Sequence, residues 1–232
     1  MTAVVCIHQP DFAPWLGFFH RLLRCDVFVV LDNVQFLRQG WHHRDKIRLG
    51  DREHWLTVPV LKTGRYTQTI AETEIDDGAD WRRKHLGTLA SAYGKAPHFD
   101  TVMPWLEALY RRNDRSLMAF NMAVLAGMQE MLGLTVPTFL ASRLPVSGTG
   151  SARLVSIVRA VGGDGYLTGT GARDYLDEAA FAAAGIGVRW QRFSHPAHRQ
   201  CGEGFLPGLS TLDALFNVGP AETRRLLEAA GA

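Results

Sequence analysis

Cysteine is scarce in this chain: three in 232 residues, Cys6, Cys25 and Cys201, far apart and in none of the paired spacings that bind zinc or build a disulfide framework. No apolar run approaches the roughly 18 residues of a membrane span, so no membrane insertion is expected. The first residues carry neither the basic segment nor the apolar core of a secretion signal, and the expected location is cytoplasmic. An excess of one charge is missing too: 25 Lys and Arg stand against 23 Asp and Glu, a net +2, which argues against a bulk nucleic-acid binder. Repeats and low-complexity tracts are absent. The glycine-rich stretch Thr168-Gly-Thr-Gly-Ala-Arg-Asp174 lacks the third glycine and the suitably spaced acidic residue of a dinucleotide fingerprint. Ser147, Ser151 and Ser194 have no nucleophile-elbow context.

What is present is an ordinary globular composition, 47% hydrophobic and 21% charged. The length suits one α/β domain, or one with a helical insertion. The N-terminus is the most informative stretch. The apolar run from Ala3 ends in His8-Gln9, and Pro10 and Pro14 stiffen the chain before a helical pattern near Gly17. A second run, Asp26 to Leu31, ends in Asp32 and Gln35. Both read as buried parallel strands, because β-branched and aromatic residues crowd them and polar residues appear only at their carboxyl ends. In open α/β sheets that edge binds ligands. His8, Gln9, Asp32 and Gln35 are therefore expected to converge on one crevice.

Further along, Val34 to Arg48 reads as a polar, basic and aromatic loop, and His54 to Val60 as a strand on which Pro59 marks an edge or bulge. Helical spacing covers Trp81 to Tyr93, with Asp80 as N-cap, then Val102 to Arg112 and Ser116 to Met131. A strand is expected over Pro137 to Leu144, and Ser151 is the expected cap of a helix running to Val161. Strand Gly165–Thr168, the glycine loop, a helix over Tyr175–Ala184 and strand Gly187–Gln191 repeat the alternation of the N-terminus. Leu209 to Asn217 forms a short amphipathic helix, broken by Gly219-Pro220 before a last helix. The expected fold class is α/β: a single domain over 1–232, a Rossmann-like layered fold with a mainly parallel sheet and a helical insertion or lobe at about 80–134.

Taken together, His8-Gln-Pro10, Pro14-Trp-Leu-Gly-Phe18, Asp26 to Phe36, Trp55 to Val60, Lys84-His85, Tyr93, Ala96-Pro97, Tyr166 to Asp177, Trp190 to Pro196 and Leu209 to Asn217 resemble the WbqC-like protein family, in its order and over nearly the whole chain. The chain departs from that pattern at Asp11, where Asn is expected, and at Ala197-His198, where an aromatic usually follows His-Pro. The resemblance implies biosynthesis of surface polysaccharide, notably O-antigen, or of specialised metabolites. It suggests a transferase placing an acyl or aminoacyl group on an amine of a sugar nucleotide or related small molecule.

The candidate residues follow from side-chain chemistry. His8 is the expected general base, since imidazole titrates near working pH. Asp32 orients it or binds a diol, with a turn cap as the alternative. His195, fixed by Pro196, stabilises or protonates a leaving group. Gln9, Trp15, Gln35 and Gln200 are expected substrate contacts. Between Phe36 and Tyr66 seven Lys or Arg face three Asp or Glu, and Arg38, Arg44 and Lys46 suit an anionic ligand such as a nucleotide sugar. An aminoacyl-tRNA donor would offer phosphates to the same residues. Thr168, Gly169, Gly171 and Arg173 form a turn able to bring backbone N–H groups to an anion. A metal site is not expected: adjacent His42 and His43 on a strand would face opposite ways, and His195-x-x-His198 has no acidic partner set by spacing. No cofactor is expected. Two rival readings stay open, a hydrolase or amidase using Cys201 or an activated water, and a non-catalytic nucleotide-sugar-binding subunit.

Overall fold

The structure is a computed structural model that describes residues 3–78 and 80–231. Its centre is a five-stranded, fully parallel sheet of β1 (Val4–His8), β2 (Val27–Val30), β5 (Thr138–Leu140), β6 (Gly165–Thr168) and β7 (Gly187–Trp190), in the spatial order β5-β2-β1-β6-β7. Counted over the sheet strands alone, this is the order 3-2-1-4-5 of a doubly wound α/β sheet. A separate antiparallel hairpin pairs β3 (Arg44–Leu49) with β4 (Arg52–Thr57).

Strand β1 explains the layering. Its side chains alternate between faces, as a pleated strand requires. Val5 and Ile7 join Val29, Tyr166, Phe181 and Ile157 in one apolar cluster. That cluster roofs the sheet with α5 (Gly150–Ala160) and α6 (Glu178–Ala183). Cys6 joins Phe28 and Val30 in a larger cluster on the other face. There the sheet meets α1 (Leu16–Leu23), through Phe18 and Leu22, and α7 (Thr211–Ala229), through Leu215 and Phe216. The same cluster continues by way of Phe12 and Phe120 into α2 (Trp81–Tyr93), α3 (Phe99–Tyr110) and α4 (Leu117–Met131). A strand buried on both faces has nowhere to place polar side chains except its ends.

Several local expectations change in the structure. The segment read as a loop before Arg48 is half strand: Gly50, at φ 62°, and Asp51 turn β3 into β4. The apolar alternation of β3 is masked because Asp45 and Arg48 are buried on it. The strand expected from Pro137 ends at Leu140 and passes into a 3₁₀ turn, Ala141–Arg143, because Asp32 captures the backbone and hydroxyl of Ser142. The helix expected from Tyr175 starts only at Glu178, where Asp177 caps it by accepting from Ala180 N. Ser151 lies inside α5 and accepts a hydrogen bond from Asp177 N instead of capping. Asp80 stands at the N-cap of α2 without a capping hydrogen bond. The break at Gly219-Pro220 is present as a kink, with Gly219 at φ 81° and the His98 ring where a Cβ would be.

Asn121 on α4 ties the helical layer to the sheet edge. Its amide donates to the carbonyls of Pro10 (2.7 Å) and His42 (2.6 Å), in a fully buried setting. Replacing it by alanine strands two buried acceptors, each worth about 1–3 kcal/mol. We expect Asn121→Ala to lower the unfolding free energy by roughly 2–4 kcal/mol in urea titrations, with an unchanged m-value.

Candidate active site at the carboxyl edge of the sheet

Register places the site. His8 is paired with Val30 of β2 across one side of β1, and Cys6 with Leu167 of β6 across the other. His8, at the end of β1, thus lies beside Gly169, just past the end of β6. The junction of β1 and β6 is where the strand order reverses, the position at which doubly wound sheets open a crevice.

The His8 side chain is 26% exposed. Its Nδ1 bonds the carbonyl of Gln9 at 3.0 Å and lies 3.5 Å from a carboxylate oxygen of Asp11. Since both neighbours are acceptors, Nδ1 carries the proton and Nε2 keeps its lone pair, with no partner among the described residues. Phe18 packs edge-on against the ring at 5.1 Å. Desolvation, and after it the positive charge of Arg21, lower the His8 pKa to about 4, against a smaller opposing pull from Asp11. The imidazole is neutral at physiological pH and able to accept a proton.

Below His8 lies a buried polar group. The second carboxylate oxygen of Asp11 is 3.5 Å from His42 Nδ1, and Asn121 holds the His42 carbonyl. Burial, reinforced by the neighbouring Asp11, pushes the Asp45 carboxyl well above the usual range, although Lys46 N–H donates to it at 2.6 Å.

The expected site residues divide. His8 and Gly169 lie side by side at this edge, and the half-buried Gln9 side chain makes no hydrogen bond among the described residues. Asp32 ends β2 on the same edge, but its carboxylate is spent on Ser142, whose N–H donates at 2.9 Å and hydroxyl at 2.5 Å. The carboxylate beside His8 is that of Asp11. Thr168 follows the parity of Tyr166, towards the α5–α6 side, away from the His8 face. Gly171 is exposed, and Arg173, also exposed, lies over the Trp190 ring.

Trp15, His195 and Gln200 belong to a different neighbourhood. Trp15 stacks near His195, with centroids 6.2 Å apart, and both touch Phe193. Neither ring nitrogen of His195 has a partner among the described residues, and burial lowers its pKa. Gln200 is saturated. Its Oε1 accepts from Arg48 and Leu206 N, while its Nε2 donates to Leu206 O and Asp213. It is a structural strut and has no donor or acceptor left for a ligand. Asp213 also takes bonds from Tyr93 (3.0 Å) and His198 (3.0 Å). Cys201 stands near this carboxylate, which together with burial raises its thiol pKa. His198 offers it no base, because both ring nitrogens already meet acceptors, Pro196 O and Asp213.

The basic residues lie on and beside the hairpin, each with an aromatic face. Arg38 sits 4.9 Å over Tyr66 and Arg44 4.4 Å over Trp55, and Lys46 pairs with Glu53 at 2.6 Å. Gln35 is exposed there and donates to Tyr66 O. Among the described residues no group of three or more His, Cys, Asp or Glu side chains is arranged to hold a metal, and no helix is long and apolar enough to cross a membrane. Two grooves lie elsewhere, between β4 and α2 and along α5. The first of these is lined by His54, Thr57, Lys84 and His85 as well as Trp55 and Trp81.

Two site residues were not expected from the sequence. Arg21, on α1, is only 7% exposed. A Cβ added at Gly169 would lie 3.3 Å from one of its terminal nitrogens. Gln191, just after β7, turns its Oε1 to the same glycine while its Nε2 donates to Gly17 O at 2.7 Å. The signal for Arg21 was a lone charge inside Leu-Gly-Phe-Phe-His-Arg-Leu-Leu, with no acidic residue to pair with on that helix.

The sequence matches the WbqC-like protein family over residues 9–225. The uncharacterized protein Rv1507c of Mycobacterium tuberculosis (strain ATCC 25618 / H37Rv) is 32% identical over 217 residues, covering 93% of this chain and 94% of its own length. No solved structure matches. With a family match across almost its whole length and a relative of this similarity, the chain belongs to the WbqC-like protein family.

Proposed function

We propose that this protein is a biosynthetic transferase that places an acyl or aminoacyl group on an amine of a sugar nucleotide or related small molecule, for surface-polysaccharide or specialised-metabolite assembly. The observation that carries this reading is His8: a neutral imidazole at the end of the central strand, with Nδ1 held by Gln9 O and Nε2 open. Attack of an amine on an acyl carbon needs a base for the proton released as the C–N bond forms. Nε2 takes that proton, the bond from the acyl carbon to the donor breaks, and the imidazolium returns the proton to the departing group.

Asp11 acts as a positioning residue, keeping the His8 proton on Nδ1 in the way the carboxylate of a catalytic triad does. Asp32 serves the site at one remove, by fixing the turn after β5. Gln9 is placed to hold the acceptor through its amide. Arg38, Arg44 and Lys46, with exposed Trp41, Trp55 and Tyr66 around them, supply a cationic and aromatic face for the anionic part of the donor. Ribonuclease sensitivity of the reaction would assign that part to a tRNA.

The thiol hydrolase reading has less support, since the environment of Cys201 disfavours the thiolate. Cys201→Ser is expected to keep full turnover.

The test uses amino-sugar nucleotides as acceptors with acyl-thioester and aminoacyl-tRNA donors, reading the mass gained by the acceptor. His8→Ala is expected to lower kcat by about 10²–10⁴-fold with its fold intact. Saturable acceptor binding with no product from any donor would replace this reading by that of a binding subunit.

The pH dependence is specific. A base with a pKa of about 4 stays competent down to that pH, so the acid limb of kcat/KM, calculated on the unprotonated fraction of the acceptor amine, lies near pH 4 and not near 6.5. Because the Asp11 charge raises the His8 pKa, Asp11→Asn moves the limb further down. A purely structural Asp11 would lower activity at every pH and leave the limb in place.

A further inference from the structure

We infer that Arg21 anchors an oxyanion-binding subsite at the junction of β1 and β6, taking a phosphate or carboxylate group of the substrate beside His8.

The argument begins with charge accounting. Arg21 is 7% exposed, yet no atom of its guanidinium makes a hydrogen bond or an ion pair among the described residues, and its Nε is fully enclosed. Arg44, Arg82 and Arg153 also leave Nε unpaired, but each places a terminal nitrogen on an acceptor: Gln39 O, Asp77 and Asn33 respectively. Arg48, the most deeply buried arginine, reaches five acceptors. Arg21 alone among these arginines has none. Burying an unpaired charge is strongly unfavourable, and an orphan of this kind in a native fold calls for a missing partner.

Geometry says where that partner sits. Helix side chains lean towards the helix N-terminus, so a long side chain on the second turn of α1 reaches back to the carboxyl edge of the sheet. There the guanidinium meets Gly169, whose missing Cβ leaves the approach open. The fork is planar and suits two oxygens of one phosphate or carboxylate. Gln191 Oε1, facing the same glycine and without a partner among the described residues, accepts a hydroxyl or N–H of the same ligand. His8 and Arg21 then read adjacent parts of one molecule, the reacting amine and a fixed anionic group. A bound anion would also offset the charge that depresses His8, raising its basicity when substrate is present.

This subsite rests on the transferase reading only for the identity of its ligand, so the experiment omits donors and acceptors. Pyrophosphate and acetate are titrated separately into the full chain at low salt. Calorimetry and the NMR titration of the His8 ring are read together. Saturable pyrophosphate binding assigns the subsite to phosphate, and saturable acetate binding without it assigns it to a carboxylate. In either case the His8 pKa rises on binding, and Arg21→Gln weakens binding at least tenfold and abolishes the rise. That variant loses an unpaired buried charge and is expected to melt at or above the wild-type temperature.

Gly169→Val gives an independent check. The backbone there, φ −81° and ψ 157°, accepts any residue, so the substitution keeps the charge and only crowds the fork. It too is expected to weaken binding. The inference is overturned if neither anion binds, if Arg21→Gln binds as the wild type does, or if Arg21→Gln melts far below it, which would make Arg21 a structural residue. Anion binding without any transferase activity would leave the subsite standing and remove the transferase.

Discussion

Strand β1 hydrogen-bonds to β2 on one side and β6 on the other, and is packed against helices on both faces. That double confinement decides where chemistry can occur. Between Val4 and Ile7 every side chain is buried and apolar or a thiol. The first imidazole the strand carries is at its very end. The ladders fix its neighbours: with Cys6 opposite Leu167, the chain after β6 has to emerge beside His8, and it does so as glycine. The nearness of His8 to the β6–β7 side of the molecule is therefore a consequence of register. No loop has to fold over to create it.

Much of this was legible because it is local. Strand ends announce themselves where apolar runs stop, and Gly219-Pro220 announces a kink because proline cannot continue the hydrogen-bond ladder of a helix. The β1, β2 and β6 ends were therefore readable, and with them His8 and Gly169. The partner of His8 was not. Asp32 and Asp11 both follow a strand end, and spacing does not say which carboxylate turns inward. The outcome depends on Ser142, more than a hundred residues later, which takes both oxygens of Asp32. Arg21 was hidden for a related reason. Its environment is made by Gly169 and Gln191, which no pattern within α1 can reveal. The β3–β4 hairpin was obscured in another way, because its inward positions include Asp45 and Arg48, which break the apolar alternation used to recognise a strand.

The site places a neutral base next to a buried cation, and each conditions the other. A charged His8 would stand against the positive Arg21 with little water to screen them, so the ring stays neutral. The hairpin follows the opposite rule. Its cations are partly exposed and each is matched, by an aromatic face, a carbonyl or Glu53. Such residues can meet a large anionic surface at small cost, but their positions are not fixed tightly enough to orient a reacting atom. On the proposed function a division of labour follows: the hairpin is suited to capture, the sheet edge to chemistry.

Two sets of polar groups among the described residues sharpen that division, one buried and fully paired, the other partly open. Around Asp213, Gln200 makes four hydrogen bonds and Arg48 reaches five acceptors. Together they clamp the segment from His198 to Leu206 onto β3 and α7. A network so completely paired gains nothing from a ligand and would lose hydrogen bonds by admitting one. Around His8 the situation is reversed: Nε2 of His8, the amide of Gln9, Oε1 of Gln191 and the whole guanidinium of Arg21 lack partners among the described residues. The open set lies where strand order reverses and a glycine removes the obstructing side chain, which is the place a polar, anionic molecule would complete.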